Sequence, residues 1–127
     1  MKSRILVIDD EPAIRDALRM ILEYERYEFI GAGTGPDGLA RIKSDAPDMV
    51  ILDIKMPGMS GLEALAAIKA LDESLPVAMI SGHGTTADAV QATRLGALDF
   101  IDKPFTSERV LVTVAKGLEV RALRQEN

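Results

Sequence analysis

The chain has 127 residues, with 15 lysines and arginines against 20 aspartates and glutamates, for a net charge of -5. This length fits one domain, and 47% hydrophobic residues with 28% charged residues are typical of a globular protein, not a disordered one. The acidic balance argues against direct binding of nucleic acid or an anionic membrane, and the lack of cysteine excludes disulfides, thiolate metal sites and a cysteine nucleophile.

The apolar run near the amino terminus stops at Asp9, which is too early for the apolar core of a signal peptide. No apolar stretch approaches the roughly 18 residues of a membrane-spanning helix. We therefore expect a soluble cytoplasmic protein.

Five short apolar runs predict five β-strands, at residues 5–8, 29–30, 49–52, 77–80 and 98–101. The runs at 5–8, 49–52 and 77–80 are almost wholly apolar, as in strands that are buried on both faces of a parallel sheet. The other two runs have polar neighbours, which is typical of edge strands.

Helical patterns lie between these runs. Apolar residues recur with helical spacing at 14, 17, 18, 21 and 22, and again at 111, 114, 115 and 118. Hydroxyl and acidic residues three positions apart predict helix starts at Thr34, Ser60 and Thr85, and Pro12 suits a first helical turn. The regular alternation of predicted strands and helices indicates an α/β fold. We expect a doubly wound, five-stranded parallel sheet in the order 2-1-3-4-5, which is a flavodoxin-like (βα)5 arrangement.

The predicted domain covers residues 1–118. Residues 119–127 remain compatible with a helix but become polar. We consider two interpretations of this segment, the frayed end of the last helix and the start of a helical linker to a further domain.

Chemically active side chains follow the predicted strands at their carboxyl ends. Asp9 and Asp10 follow the first strand, Asp53 the third, Ser81 the fourth and Lys103 the fifth. Because the carboxyl ends of parallel strands meet at one edge of a sheet, we expect these side chains to converge. Clustered carboxylates repel unless cations intervene, and oxygen ligands suit Mg²⁺. A carboxylate can also act as the nucleophile toward phosphorus.

Four sequence motifs contain these side chains and follow one another in a characteristic order and spacing. They are the acidic run 9–11, the segment 53–61 with sequence DIKMPGMSG, Ser81-Gly82 and the segment 100–105 with sequence FIDKPF. Across residues 3–120 the sequence resembles the receiver domain of bacterial two-component response regulators. The resemblance implies phosphorylation by a sensor histidine kinase, with Mg²⁺ as cofactor and without turnover of an external substrate.

The resemblance also implies a role for each acidic residue. Asp53 corresponds to the phospho-acceptor, and Asp10 and Asp53 to the Mg²⁺ ligands, together with the backbone carbonyl of Lys55. Asp9 corresponds to a residue that acts on the metal through water.

Further site residues follow from the same resemblance. Lys103 corresponds to the lysine that pairs with the phosphoryl oxygens, and the bond between Lys103 and Pro104 to a cis peptide. Ser81 and Phe100 resemble the two switch residues, a hydroxyl that bonds the new phosphoryl group and an aromatic ring that turns inward. Lys55 and His83 occupy positions that tune the phosphoryl lifetime in the family; alternatively, His83 is simply a loop residue.

In the family, the surface that reports phosphorylation is commonly the fourth helix, fifth strand and fifth helix, here about 85–95, 98–102 and 106–118. This face could pair two copies of the chain into a homodimer. The stretches 81–84 and 95–105 resemble the nitrogen-regulation-type (sigma-54-dependent activator) subgroup, in which output domains that control transcription follow the receiver. A stand-alone receiver is the competing interpretation.

Two other classes of function are weaker. Gly33, Gly35 and Gly38 fit a dinucleotide-binding pattern, but they follow the second strand instead of the first, and Pro36 removes a backbone donor. A small Mg²⁺-dependent phosphohydrolase using Asp53 would need residues for a substrate cap that this length does not supply. A serine hydrolase at Ser81 and His83 lacks the nucleophile-elbow pattern.

Overall fold

The computed structural model describes residues 2–126, in which five strands alternate with five helices. The strands are β1 (Arg4–Ile8), β2 (Glu28–Ala32), β3 (Met49–Asp53), β4 (Val77–Ser81) and β5 (Asp99–Asp102). The helices are α1 (Pro12–Tyr24), α2 (Gly35–Asp45), α3 (Gly61–Leu71), α4 (Thr86–Arg94) and α5 (Ser107–Glu126).

All strand pairs are parallel, and the sheet order is β2-β1-β3-β4-β5. This order confirms the predicted doubly wound fold. Every residue of β3 and β4 is buried, as the continuous apolar runs predict, whereas β2 and β5 are partly exposed edge strands.

Two apolar layers cover the sheet. On one face, side chains of α1 and α5 such as Leu18, Leu22 and Val114 pack on Ile5 and Ile51. On the other face, side chains of α2, α3 and α4 pack on alternate residues of the same strands. Because both faces are covered, polar groups of the central strands reach solvent only at the strand ends.

Side-chain caps begin three of the helices. Ser60 and Thr85 each accept a hydrogen bond from the third helical residue, whose carboxylate bonds back to the N-cap N–H, so both form the predicted capping boxes. Thr34 accepts from the Asp37 N–H without the return bond. Pro12 occupies the first turn of α1, as predicted.

Helix α5 continues through Leu118 and ends at Glu126. Its last turns are tied to the loop between α3 and β4, because Arg121 donates to Asp72 Oδ2 at 3.0 Å and Arg124 donates to the Ser74 carbonyl at 3.1 Å. The predicted boundary between 1–118 and 119–127 therefore falls inside a helix, and the division stays a prediction. Met1 and Asn127, the first and last residues of the two predicted segments, lie outside the described residues. No described helix is long and apolar enough to span a bilayer.

Candidate functional site

The carboxyl ends of the strands bring most of the predicted site residues to one cleft of about 430 Å³, whose lining does not include Asp9, Asp10 or Phe100. Its lining consists of Glu11, Ile14, Asp53, Lys55, Ser81, Gly82, His83, Lys103 and Pro104. Asp9 follows β1, and Asp53 and Ser81 are the last residues of β3 and β4. Residues that are far apart in sequence thus meet at the edge where the sheet order reverses.

Three carboxylates form the floor of the site. Oxygen atoms of Asp9, Asp10 and Asp53 all lie within 4.8 Å of one another. Asp9 and Asp53 are buried, with 0% and 2% of their surfaces exposed, whereas Asp10 is not. Such crowding of negative charge in a buried place is unfavourable without a compensating cation.

Lys103 supplies one such cation. Its Nζ lies 3.0 Å from Asp9 Oδ2, 3.6 Å from Asp53 Oδ1 and 3.7 Å from Glu11 Oε1. Burial lowers the pKa of Lys103, but the ion pair with Asp9 and the charge of Asp53 outweigh it and raise the pKa. The ammonium group therefore stays charged at neutral pH and neutralises part of the cluster.

Lys103 does not neutralise the whole cluster. Burial, followed by the charge of Asp9, raises the pKa of Asp53 from 3.8 to about 6, although Lys103 and a hydrogen bond from the Lys55 N–H act in the opposite direction. The charge of Asp10 adds a smaller upward contribution. Asp53 is therefore an anion held in unfavourable surroundings, and a further positive charge would stabilise it.

The acidic cluster fits a hard divalent cation. All its ligand atoms are carboxylate oxygens, the type that Mg²⁺ prefers. Among the described side chains, the ammonium group of Lys103 is the sole partner of the buried Asp9 Oδ2, which forms no regular hydrogen bond. Asp9, Asp10 and Asp53 can therefore hold such an ion between them.

The two predicted switch residues lie on either side of a glycine. Ser81 Oγ accepts a hydrogen bond from the His83 N–H at 3.1 Å, so the hydroxyl faces the loop that leads to α4. A Cβ atom on Gly84 would lie 3.2 Å from Ser81 Oγ and 2.7 Å from Cζ of the half-buried Phe100. A side chain at position 84 would therefore displace the Phe100 ring, a contact that the sequence motifs did not indicate.

The remaining predicted residues also border the cleft. The peptide bond between Lys103 and Pro104 is cis. His83 is exposed in the loop after β4, and its backbone, not its ring, contacts Ser81. Lys55 donates its N–H to Asp53, while its Nζ lies 3.8 Å from Asp88 Oδ2 in α4.

Glu11 and Asp88 pair with the two lysines of the cleft, although no sequence motif indicated a site role for either residue. Glu11 could have been selected because it extends the acidic run 9–11. For Asp88, the sequence indicated only a role in capping the helix that begins after Thr85. The proposed dinucleotide motif at 33–38 follows the edge strand β2, on the far side of β1 from β3 and Asp53.

Comparisons with known proteins agree with this geometry. The model of the response regulator receiver domain family matches residues 5–115. The chain is 40% identical over 126 residues to the C4-dicarboxylate transport transcriptional regulatory protein DctD of Pseudomonas aeruginosa, covering 99% of this chain and 27% of DctD. It is 42% identical over 128 residues to the nitrogen assimilation regulatory protein NtrX of Azorhizobium caulinodans, covering 99% of this chain and 28% of NtrX.

A solved structure gives the same result. The crystal structure of a CheY-like response regulator receiver domain protein from Methanospirillum hungatei has a TM-score of 0.93 and 31% sequence identity to this chain. The match covers 98% of this chain and 99% of that one. The chain therefore spans a whole solved protein but only 27% and 28% of the two curated regulators.

Proposed function

This chain belongs to the response regulator receiver domain family, and from that premise we propose how its own residues carry a phosphoryl signal. Family membership makes it a phosphorylation-dependent signalling module and not a conventional enzyme. The similarity to DctD and NtrX confirms the predicted resemblance to the nitrogen-regulation-type regulators. We propose that a sensor histidine kinase in the cytoplasm donates the phosphoryl group and that Asp53 accepts it.

In the proposed reaction, a carboxylate oxygen of Asp53 attacks phosphorus and forms an O–P bond. The N–P bond of the donor phosphohistidine breaks, and its electron pair stays on the imidazole nitrogen. Hydrolysis then ends the signal. The oxygen of a water molecule forms a bond to phosphorus, and the O–P bond to Asp53 breaks. Inorganic phosphate leaves, the carboxylate is restored, and the protons of water pass to phosphate and solvent. The chain would promote both steps on itself.

Positioning and charge neutralisation account for most catalysis of phosphoryl transfer. Asp10 and Asp53, with the Lys55 carbonyl, would hold Mg²⁺, and Asp9 would act through water. When bound, the ion supplies positive charge to the phosphoryl oxygens. Lys103 would pair with the phosphoryl group, and the distance of 3.6 Å between its Nζ and Asp53 Oδ1 supports this role.

The proposed switch follows from the change of charge at Asp53, where an acyl phosphate of about -2 replaces a carboxylate of -1. Ser81 would rotate from its bond with the His83 N–H toward the phosphoryl oxygens, and Phe100 would turn into the space that this movement opens. Lys55 and His83 would tune the phosphoryl lifetime. The rearranged α4-β5-α5 face would pair two copies of the chain or contact output domains that control transcription.

The single observation that carries this proposal is the position of Lys103 Nζ, within 4 Å of both Asp9 and Asp53 at the carboxylate cluster. Asp53, the proposed nucleophile, and Lys103, a cation for the phosphoryl oxygens, line one cleft, and oxygens of Asp9 and Asp10 lie within 4.8 Å of an Asp53 oxygen.

The test is incubation with a small phosphodonor and Mg²⁺, followed by intact mass measurement. We expect one added phosphoryl group on the wild type, none on Asp53→Asn, and normal labelling of Asp37→Asn, which alters an exposed aspartate away from the cleft. Equal labelling of wild type and Asp53→Asn would show that another residue accepts the group. No labelling of the wild type would contradict the proposal as a whole.

A further inference from the structure

Lys55 connects the acceptor to helix α4 through two different groups. Its backbone N–H bonds the Asp53 carboxylate, and its side-chain Nζ lies 3.8 Å from Asp88 Oδ2. Its side chain is 57% exposed, whereas that of Lys103 is 13% exposed and lies against Asp9 and Asp53. Lys55 is therefore the lysine of the cleft whose ammonium is free to change partner.

Asp88, in contrast, is fixed in place. Its Oδ2 accepts the Thr85 N–H at 3.1 Å, and its own N–H donates to Thr85 Oγ1 at 3.1 Å. The bond from the Thr85 backbone is the leading reason that the pKa of Asp88 is lowered, so the group is an anion at neutral pH. The capping box of α4 thus holds a stationary negative charge beside a mobile lysine.

We propose that Asp88 is a positioning residue, which holds the Lys55 ammonium at the start of α4 and away from the phosphoryl group, and thereby shortens the phosphoryl lifetime. This inference rests on the proposed function of Asp53.

The physical basis is competition of two anions for one cation. Phosphorylation replaces the single charge of the Asp53 carboxylate with a phosphoryl group of about two negative charges, and the Lys55 backbone N–H already interacts with Asp53. When the ammonium moves to the phosphoryl oxygens, it stabilises the phosphorylated state and covers the approach of the attacking water. Asp88 opposes this movement.

The same competition works in both directions, because coupling between two sites is reciprocal. If Asp88 pulls Lys55 from the phosphoryl group, then phosphorylation pulls Lys55 from Asp88. The amino end of α4 then loses its cation at the moment of phosphorylation. A charge change at Asp53 would therefore reach the α4 part of the proposed reporting face directly through one side chain.

A double-mutant cycle tests the proposal. Asp88→Asn removes the charge, while the asparagine oxygen can still accept the Thr85 N–H and keep the cap. Because the ion pair is exposed and 3.8 Å long, its contribution is small, and we expect the phosphoryl half-life to lengthen roughly one-and-a-half- to fivefold. In a Lys55→Met background, Asp88→Asn should leave the half-life unchanged.

The matched control is Glu63→Gln, which neutralises the corresponding carboxylate in the α3 capping box, where Glu63 has no ion pair among the described residues. It should leave the half-life as in the wild type. An equal effect of Asp88→Asn with and without Lys55, or no effect when Lys55 is present, would overturn the proposal.

A second readout needs no phosphoryl group. In NMR spectra of the unphosphorylated protein, Asp88→Asn should shift the Lys55 Hε signals and preserve slow exchange of the Thr85 amide. Fast exchange of that amide together with unshifted Lys55 signals would overturn the inference, because loss of the cap would then explain the variant. A wild type that takes no phosphoryl group on Asp53 would instead refute the proposed function, and the inference with it.

Discussion

Substitution of Asp53 by asparagine should stabilise the metal-free protein. Burial and the charge of Asp9 raise the pKa of Asp53 from 3.8 to about 6, so the folded state holds this carboxylate as an anion at a cost. Each pKa unit corresponds to about 1.4 kcal/mol, which sets an upper limit of about 3 kcal/mol at pH 7.5. Asparagine keeps the shape and removes the charge, but it also weakens the contact with Lys103. We therefore expect a gain of about 1–3 kcal/mol.

The sign of the pH dependence follows from the same shift. Because the folded-state pKa lies above that of the unfolded chain, this group costs nothing below pH 3.8, and its cost grows as the pH rises toward about 6. The wild type should lose this part of its stability over that interval, and Asp53→Asn should not.

Thermal unfolding in a chelator, from pH 4 to 8, measures the effect. A gain of about 2 kcal/mol corresponds to roughly 5–10 °C in Tm for a domain of this size. Millimolar Mg²⁺ should stabilise the wild type more than the variant and so reduce the difference. The control Asp37→Asn should not be stabilised, because this carboxylate is exposed and lies favourably in the first turn of α2. If Asp53→Asn has the same Tm as the wild type at both ends of the pH range, charge repulsion is not what strains the cluster.

Three further changes test other parts of the structure. Asp99→Asn should lower the free energy of unfolding by about 1–2 kcal/mol above pH 4. Burial acts to raise the pKa of Asp99, but Arg109 and the Phe100 N–H outweigh it and lower this pKa to about 2. In denaturant titrations, the variant should therefore lose less stability than the wild type between pH 4 and 2. Gly61→Ala should destabilise the protein by more than 1 kcal/mol, since its Cβ would lie 2.1 Å from the Asp53 carbonyl oxygen. Arg121→Ala should accelerate amide exchange at residues 119–125 about tenfold, and unchanged exchange there would contradict the observed tie to the α3–β4 loop.

The fold was predictable because its determinants are local or periodic. Continuous apolar runs identify strands buried on both faces, and helical spacing identifies the segments between them. Parallel connection then forces the strand ends, and with them Asp53, Ser81 and Lys103, to one edge. The convergence of the site is a consequence of topology, so it needed no knowledge of side-chain conformation.

Side-chain pairing could not be predicted in the same way. The contacts between Lys55 and Asp88 and between Arg121 and Asp72 join residues that are far apart in sequence. Both acids have local signals, a capping box for Asp88 and a helix end for Asp72, and these signals do not specify a distant basic partner. The close packing of Gly84 against Phe100 depends on loop geometry, which no residue pattern encodes.

The length of α5 has a mechanical consequence. A helix of 20 residues is about 30 Å long, and the final eight residues carry it about 12 Å past Leu118. Because of this length, a tilt of about 10° at the first residues of α5 would displace its last residues by roughly 5 Å. Arg121 and Arg124 bind the end of α5 to the α3–β4 loop, so any such tilt would have to break their hydrogen bonds to Asp72 and Ser74.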